Sequence, residues 1–169
     1  ALWKKYFDEL FIKSPLLSDA IDRLNIKADS IAVHTRFTNI LGDFKDSNTT
    51  EVSDEQKTVI VSELKQMINT INIENKDKSI YVFSDSITFL KEIETTTNYH
   101  ILDGNPVHVD NSNNYLDNND VHLKTFLDFF VISNCEKVYF LINSCTYNSV
   151  FSKYASIVGG KEYFYRYID

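Results

Sequence analysis

Short apolar runs recur along the chain and are separated by longer amphipathic segments. Residues 79–83 and 137–142 are rich in β-branched and aromatic side chains, as expected of strands buried on both faces of a sheet. A similar run at residues 30–33 lies within a first strand that we predict over residues 29–35. The last strand is predicted over residues 163–167. We therefore expect four strands, with further short strand candidates at residues 100–102 and 107–109 around Gly104.

The segments between the strands repeat their apolar residues at helical spacing. Ser53 and Gln56 stand three residues apart, the spacing of a capping box at the start of a helix. Gly159 and Gly160 suit the left-handed end of another helix. Polar loops are expected over residues 39–50 and 110–120. The predicted helices span residues 2–12, 18–24, 53–72, 87–94, 122–133 and 149–158.

Strands that alternate with helices across short loops predict an α/β fold, a Rossmann-like parallel sheet with helices on both faces. We expect one such domain over residues 29–169. Residues 1–28 are predicted to form a helical lead-in that packs on this domain or links it to another part of the protein. The chain starts at Ala1 and not at a methionine. We therefore expect it to be a portion of a longer protein that lacks an amino-terminal domain.

Composition limits the classes of function. The 169 residues are 43% hydrophobic and 14% aromatic, which favours a folded globule. There are 24 acidic and 17 basic residues, for a net charge of −7, so a nucleic-acid protein that needs a basic stripe is disfavoured. Cys135 and Cys145 are expected to be buried free thiols, as in a reducing compartment. Neither a membrane-spanning stretch nor a signal peptide is recognisable.

His34 and Arg36 stand at the end of the first strand. Because side chains alternate along a strand, residues two apart leave it on the same side. In an open α/β sheet, ligands bind at the carboxyl ends of the strands. A guanidinium with an imidazole beside it suits a phosphate at this place. A strand that simply ends in two polar surface residues is an equally good interpretation.

Two other predicted strands are also followed by polar residues. Ser84, Asp85 and Ser86 follow residues 79–83, and Asn148 and Ser149 lie in the turn after residues 137–142. In a parallel sheet all of these lie at the same edge as the end of the first strand. Ser149 at a helix start offers a hydroxyl and free amides to an anion, although an ordinary N-cap serine is the simpler interpretation. Asp85 either accepts hydrogen bonds from a nucleobase or ribose, or caps a helix.

Asp128 lies on an apolar helix, where an unpaired carboxylate would be costly. It is expected to face a crevice or a partner, or to make a structural hydrogen bond. The glycine-rich dinucleotide loop, the phosphate loop and the GxSxG elbow are all missing, which disfavours dehydrogenases, P-loop NTPases and serine hydrolases. The four histidines lack metal-site spacing. We predict no catalytic metal and no cofactor.

Three segments, taken in order, resemble the carboxyl-terminal half of the fucosyltransferases. They read IAVHTRF at residues 31–37, YVFSDS at residues 81–86, and FLDFFVISNC through NSVFSKYASIVGG within residues 126–160. The pattern is similar to the bacterial and animal α1,2-fucosyltransferases, with the α1,6- and protein O-fucosyltransferases as more distant relatives. The resemblance implies a GDP-fucose-binding domain, one half of a GT-B-type glycosyltransferase that inverts configuration and needs no metal.

The resemblance implies roles for four residues near the diphosphate of GDP-fucose. Arg36 would be the catalytic residue, clamping the β-phosphate and stabilising the departing diphosphate. His34 would line the same pocket, and Ser149 would contact a phosphate oxygen together with Asn148.

The resemblance also assigns Asp85 and Ser86 to guanine or ribose. The chain departs from the family's HxRRGD motif, because Phe37 replaces the second arginine and Gly42-Asp43 is displaced by an insertion. The aromatic SFSWW pattern of the family reads SVFSKY at residues 149–154. Asp43 is a candidate for the catalytic base, and a residue of the missing amino-terminal half is an equal candidate.

The leading hypothesis is therefore an enzyme, a bacterial glycosyltransferase that moves fucose from GDP-fucose to a glycan acceptor such as a surface glycan or lipopolysaccharide precursor. The isolated chain is expected to bind the donor weakly and transfer nothing. The implied location is cytoplasmic, with peripheral association with the inner membrane left open, and no nucleic-acid partner is expected. The alternatives are a non-catalytic α/β module that binds a nucleotide or sugar, and a structural domain whose polar strand ends are caps.

Overall fold

The computed structural model describes residues 2–43, 52–107 and 122–168 of the chain. Within these ranges the chain forms strands and helices in alternation. The strands are β1 (Ile31–Thr35), β2 (Ile80–Ser84), β3 (Lys137–Asn143) and β4 (Glu162–Ile168). The helices are α1 (Leu2–Leu10), α2 (Pro15–Leu24), α3 (Asp54–Glu74), α4 (Ile87–Thr96), α5 (Leu123–Asn134) and α6 (Phe151–Gly159).

The four strands form one sheet in the order β2-β1-β3-β4, and every pair is parallel. Val33 of β1 lies opposite Val82 of β2 on one side and Tyr139 of β3 on the other. All five residues of β1 are buried, because the strand is covered on both faces. The predicted Rossmann-like parallel sheet is confirmed.

Two apolar cores lie on opposite faces of the sheet. On one face, α3 and α4 cover alternate strand residues, and Leu64, Phe89 and Val33 belong to the same core. On the other face, α2, α5 and α6 cover the intervening residues, and Val131, Ala155 and Ala32 belong to a second core. The alternation follows from the two-residue period of a strand, and it confirms that helices cover both faces.

The order of the strands locates the crevice. The chain leaves β1, passes through α3 and pairs β2 on one side of β1. It then returns through α5 to pair β3 on the other side of β1. In such sheets, ligands bind outside the carboxyl ends of the strands where the strand order reverses, which here is the end of β1.

Some predicted elements differ from the structure. Residues 100–102 form no strand, since only His100 bridges β2, through an isolated pair with Tyr81. The next residues lead to Gly104 at φ 104° and to Pro106, which lacks an amide, so no ladder continues. Val107 is outside any strand, whereas residues 108–109, the predicted loop 110–120 and most of the loop from Asn39 lie outside the described residues. No helix in the described ranges is both long and apolar enough to cross a membrane.

Gly159, the last residue of α6, allows this helix to approach α5 closely. A Cβ at this position would lie 1.9 Å from the carbonyl oxygen of Ser133 on α5. The next residue, Gly160, has φ 66° and open space where a Cβ would stand. The two glycines are therefore required for different reasons, space at Gly159 and backbone conformation at Gly160.

Gly159→Ala is expected to lower the free energy of unfolding by more than about 3 kcal/mol, because a backbone carbonyl cannot give way without moving α5. Gly160→Ala is the matched control and is expected to cost about 1–2 kcal/mol, the strain of a left-handed alanine. Urea denaturation of both variants measures the difference. Equal losses would contradict the close approach of α6 to α5.

Candidate functional site

A cavity of about 140 Å³ opens at the carboxyl ends of β1 and β2, against α5 and the start of α6. Its walls come from parts of the sequence that are far apart. They include most of the residues that the sequence predicted as site residues. The fold alone brings these residues together. The polar side chains that line it are those of His34, Arg36, Ser84, Asp85, Thr125, Asp128 and Ser149.

His34 is held in a neutral state by its surroundings. The residue is 6% exposed, and the centre of its ring lies 5.4 Å from that of Phe140 and 5.7 Å from that of Phe151. Burial, helped by the charge of Arg36, lowers its pKa to about 3. Nδ1 lies 3.0 Å from the Oγ of Ser152 on α6. The imidazole is therefore uncharged at neutral pH and offers one donor and one acceptor.

Arg36 is tied to both neighbouring loops. Its Nε lies 3.6 Å from Oδ2 of Asp85, which follows β2. Its guanidinium carbon lies 5.4 Å from the centre of the Tyr147 ring, in the loop after β3. The amide of Tyr147 donates to the Arg36 carbonyl at 2.8 Å. Tyr147 was not predicted as a site residue, because no local pattern links it to the end of β1.

Asp85 holds the loop that follows β1. Its two carboxylate oxygens accept the amides of Phe37 and Thr38, each at 2.8 Å. Burial raises its pKa, while these two amides and Arg36 act in the opposite direction. The helix-cap interpretation of Asp85 is wrong, because the cap of α4 is Ser86.

Ser86 and Asp43 meet at the amino terminus of α4 and are not among the residues that line the cavity. The Ser86 hydroxyl accepts the Phe89 amide at 3.1 Å and donates to Oδ2 of Asp43 at 2.9 Å. The same Asp43 oxygen accepts the amide of Thr88. Asp43 therefore places negative charge at the positive end of a helix dipole.

Ser149 lines the cavity, but it does not begin the helix as predicted. Helix α6 starts at Phe151 with Val150 at the N-cap, so the predicted N-cap role of Ser149 is wrong. The Ser149 hydroxyl accepts the Phe151 amide at 3.3 Å, and the residue is 5% exposed. Asn148 is exposed and does not line the cavity.

Asp128 both lines the cavity and makes a structural ion pair, so two of its predicted alternatives hold together. Its oxygens lie 2.5 and 2.6 Å from Nζ of Lys124, and the two residues are 5% and 6% exposed. Burial raises the pKa of Asp128 to about 6, against the effect of Lys124. Gly104 leaves room for Lys124, since a Cβ there would lie 3.3 Å from the lysine Cβ.

Lys124 was missed, although its spacing of four residues from Asp128 on an apolar helix was a readable signal for a buried pair. Cys135 is buried, and burial raises the pKa of its thiol to about 12. Cys145 is only half-buried, so its predicted burial is wrong. Within the described residues, no group of three or more His, Cys, Asp or Glu side chains is arranged to hold a metal ion.

Sequence comparison finds no matching family model and no matching curated protein. Solved structures do match. NodZ α-1,6-fucosyltransferase co-crystallised with GDP has a TM-score of 0.55 at 13% identity, over 86% of this chain and 42% of that one. The selenomethionine form of NodZ from Bradyrhizobium gives the same values, and NodZ soaked with GDP-fucose gives a TM-score of 0.53.

The chain has a fucosyltransferase-like fold. It spans less than half the length of the NodZ chain, 42%. The match is to an α1,6-enzyme, a group that the sequence motifs place among the more distant relatives. At 13% identity the likeness concerns the fold.

The neutral His34 gives the protein a defined pH dependence of stability. Its folded pKa, about 3, lies below its unfolded value of 6.5. The unfolded chain therefore binds more protons between these limits, and His34 lowers the free energy of unfolding as the pH falls below 6.5, by up to about 1.4 kcal/mol per pH unit. Asp128, with its raised pKa, has the opposite slope between its ordinary pKa of 3.8 and about 6.

His34→Asn keeps a polar group near Ser152 and removes the titration. We expect the variant to be less stable than the parent chain at pH 7.5, and the difference in the free energy of unfolding to stay level down to about pH 6.5 and to shrink from there towards pH 4.5. Urea unfolding of both proteins across this range measures the gap, in which the contribution of Asp128 cancels. Parallel curves would show that His34 is not held neutral.

Asp85→Asn tests the clamp on the loop after β1. An asparagine offers one acceptor oxygen in place of two, so one loop amide loses its partner at a cost of about 1–3 kcal/mol. Asp103→Asn, at an exposed position, is the control and is expected to change little. Urea unfolding measures both variants, and a loss no larger than that of the control would contradict the clamp.

Proposed function

We propose that this chain is the donor-binding part of a glycosyltransferase that uses GDP-fucose. The proposal rests on one observation above the others, that Arg36 after β1 and Ser149 before α6 line the same cavity at the strand ends. The likeness to NodZ, which was co-crystallised with GDP and soaked with GDP-fucose, supports the class of ligand. A glycan is the acceptor in this proposal.

Arg36 is suited to the diphosphate of the donor. Its guanidinium is positioned by Asp85 and by the Tyr147 ring, so little side-chain freedom is lost when a phosphate binds. A fixed guanidinium forms charge-assisted hydrogen bonds with phosphate oxygens. In the proposed reaction, it stabilises the negative charge that grows on the departing diphosphate. The Ser149 hydroxyl supplies a second contact, and Asn148 stays a predicted contact at the rim.

The guanine base fits Asp128 better than Asp85 or Ser86. The Asp85 oxygens accept the loop amides of Phe37 and Thr38 and also face the Ser84 hydroxyl and the Arg36 guanidinium, so little acceptor capacity is left. Ser86 caps α4 away from the cavity.

Asp128 is a buried carboxylate on the cavity wall whose two oxygens both accept from one group, Nζ of Lys124, so each oxygen keeps a second lone pair for a ligand. Guanine presents an N1–H and an amino group on one edge, which match the two oxygens of a carboxylate. We therefore assign the base to Asp128 and a positioning role to Asp85.

The size of the cavity limits what the chain does alone. Binding pockets for small molecules usually measure about 300–1,000 Å³, whereas this one measures about 140 Å³. It holds one part of a nucleotide sugar and not the whole. In the proposal, the rest of the donor and the acceptor are held by other parts of the protein, so the isolated chain binds GDP weakly and transfers nothing.

A non-catalytic nucleotide-binding module is the second candidate. The observation that favours it is the place of Asp43, the proposed base, at the amino terminus of α4 and outside the cavity lining. In the transferase reading, the base then comes from another part of the protein.

The variant Arg36→Ala distinguishes the transferase from the non-catalytic binding module. Because a ligand of the native state raises the melting temperature, millimolar GDP or GDP-fucose is expected to stabilise the parent chain, more than UDP-sugars do. Arg36→Ala is expected to weaken GDP binding at least tenfold, the loss of about 1.5–3 kcal/mol for hydrogen bonds to a charged group. Arg23→Ala, at an exposed position on α2, is the matched control.

Preference for UDP-sugars would contradict the donor assignment. No stabilisation by any nucleotide would favour a structural domain. In a protein that includes the rest of the transferase, Arg36→Ala is expected to reduce transfer far more than affinity. An equal loss of both would favour the binding module.

A further inference from the structure

The loop of residues 144–148, here called the β3 loop, is folded around the side chain of Asn143, the last residue of β3. Oδ1 of Asn143 accepts the amides of Cys145 at 3.0 Å and Thr146 at 2.9 Å. In return, the Thr146 hydroxyl accepts the Asn143 amide at 2.8 Å. Asn143 is 4% exposed. Because two backbone N–H groups meet the same side-chain atom, that atom is the oxygen of the Asn143 amide, and its NH₂ group faces the other way.

The NH₂ group of Asn143 fastens the β3 loop to a helix. Its Nδ2 donates to Oε2 of Glu63 on α3 at 3.1 Å, and Glu63 is half-buried. Hydrogen bonds to a charged group are stronger than those between neutral groups. One side chain therefore determines both the shape of the β3 loop and its position against α3.

The β3 loop reaches Arg36 through Tyr147, by backbone and by side chain. The Tyr147 amide donates to the Arg36 carbonyl at 2.8 Å, and the Tyr147 ring centre lies 5.4 Å from the guanidinium carbon. Tyr147 is 46% exposed, so its ring is not fixed by burial in a core. The position of the ring against Arg36 therefore depends on the backbone that Asn143 folds.

The contact of Arg36 with Asp85 does not by itself orient the guanidinium. Nε of Arg36 and Oδ2 of Asp85 are 3.6 Å apart, which is beyond the range of a directed hydrogen bond. Attraction between charges fixes a distance more than an orientation. A planar guanidinium is oriented by a second contact on its face, and the Tyr147 ring supplies such a contact.

We propose that Asn143 is a positioning residue for Arg36. By folding the β3 loop and fastening it to α3, it sets the orientation of the guanidinium and with it the preference of the cavity for a nucleoside diphosphate over a monophosphate. This inference rests on the proposed function for the identity of the ligand. It adds a basis for selectivity, because a guanidinium that is already oriented loses little freedom when the β-phosphate binds.

The variant Asn143→Asp tests the orientation of Arg36 without a ligand. It keeps acceptor oxygens for the two loop amides, but it places a second carboxylate against Glu63. We expect the Arg36 side chain to become more mobile, measured as a fall in the carbon-13 order parameter of its Cδ in the 169-residue chain at pH 7.5. The resonance is assigned by its absence in Arg36→Ala.

Two further variants separate the lost hydrogen bond from the added charge. Glu63→Gln, combined with Asn143→Asp, again provides a donor and an acceptor at this contact, and we expect it to restore the order of Arg36. Ser144→Asp adds the same charge at an exposed position of the β3 loop and is the matched control. It is expected to leave the order parameter unchanged.

Calorimetry with GDP and GMP tests the selectivity. GMP lacks the β-phosphate to which Arg36 is assigned, so the parent chain is expected to bind GDP more tightly. Asn143→Asp is expected to weaken GDP binding about fivefold and GMP binding by less than about twofold. The combination with Glu63→Gln is expected to restore the preference for GDP, and Ser144→Asp to retain it.

The outcomes separate this inference from the proposed function. If Arg36 stays ordered in Asn143→Asp, or if GDP and GMP binding weaken equally, Asn143 does not position Arg36 and the donor assignment stands. A parent chain that binds neither nucleotide overturns the proposed function, while the order parameters still decide the role of Asn143.

A milder pair of variants covers the case in which Asn143→Asp does not fold. Glu63→Ala removes the acceptor on α3, whereas Glu63→Gln alone keeps one. We expect the Arg36 order parameter to fall in Glu63→Ala and to stay at the parent value in Glu63→Gln. Equal values in these two variants overturn the inference.

Discussion

The bond between the Asp85 carboxylate and the loop after β1 holds the site together. This loop turns sharply, with Thr38 at φ 55°, a left-handed conformation that costs a non-glycine residue about 1–2 kcal/mol. The two amides that Asp85 accepts offset this cost, and the same carboxylate lies beside the Arg36 guanidinium. One side chain just after β2 therefore fixes both the backbone and the side chain that follow β1. Without Asp85, the Arg36 side chain would adopt several orientations instead of one that faces the cavity.

The fold was predictable because its information is local. The burial of β1 on both faces, the period of α3 and the capping box at Ser53 are each visible in short stretches of sequence. The ends of helices and strands were less predictable. At α6, Ser149 resembled an N-cap residue, but Val150 occupies that position. A serine hydroxyl that accepts an amide two residues on has the same sequence signal as a cap.

The site was predictable only in part. The parallel sheet brings His34, Arg36 and Ser149 to one edge, and this follows from topology alone. The partners of these residues do not, since Tyr147 and Ser152 meet them through packing of separate elements. Asp85 illustrates this limit. It lies at the strand ends as predicted, but its carboxylate accepts hydrogen bonds from the backbone of the loop after β1.

The charged groups of the cavity nearly cancel one another, so the placement of its hydrogen-bonding groups decides which ligand it selects. Arg36 is opposed by Asp85, Lys124 is paired with Asp128, and His34 is neutral, so these groups are close to electrical balance. Net charge then attracts a diphosphate only weakly. Directed donors have a larger part in selecting the ligand, because a misplaced donor or acceptor in a buried site costs a full hydrogen bond. A site of this kind discriminates between ligands by the geometry of its hydrogen bonds. This requires that each polar side chain be held in position, as Arg36 is by Asp85 and His34 is by Ser152.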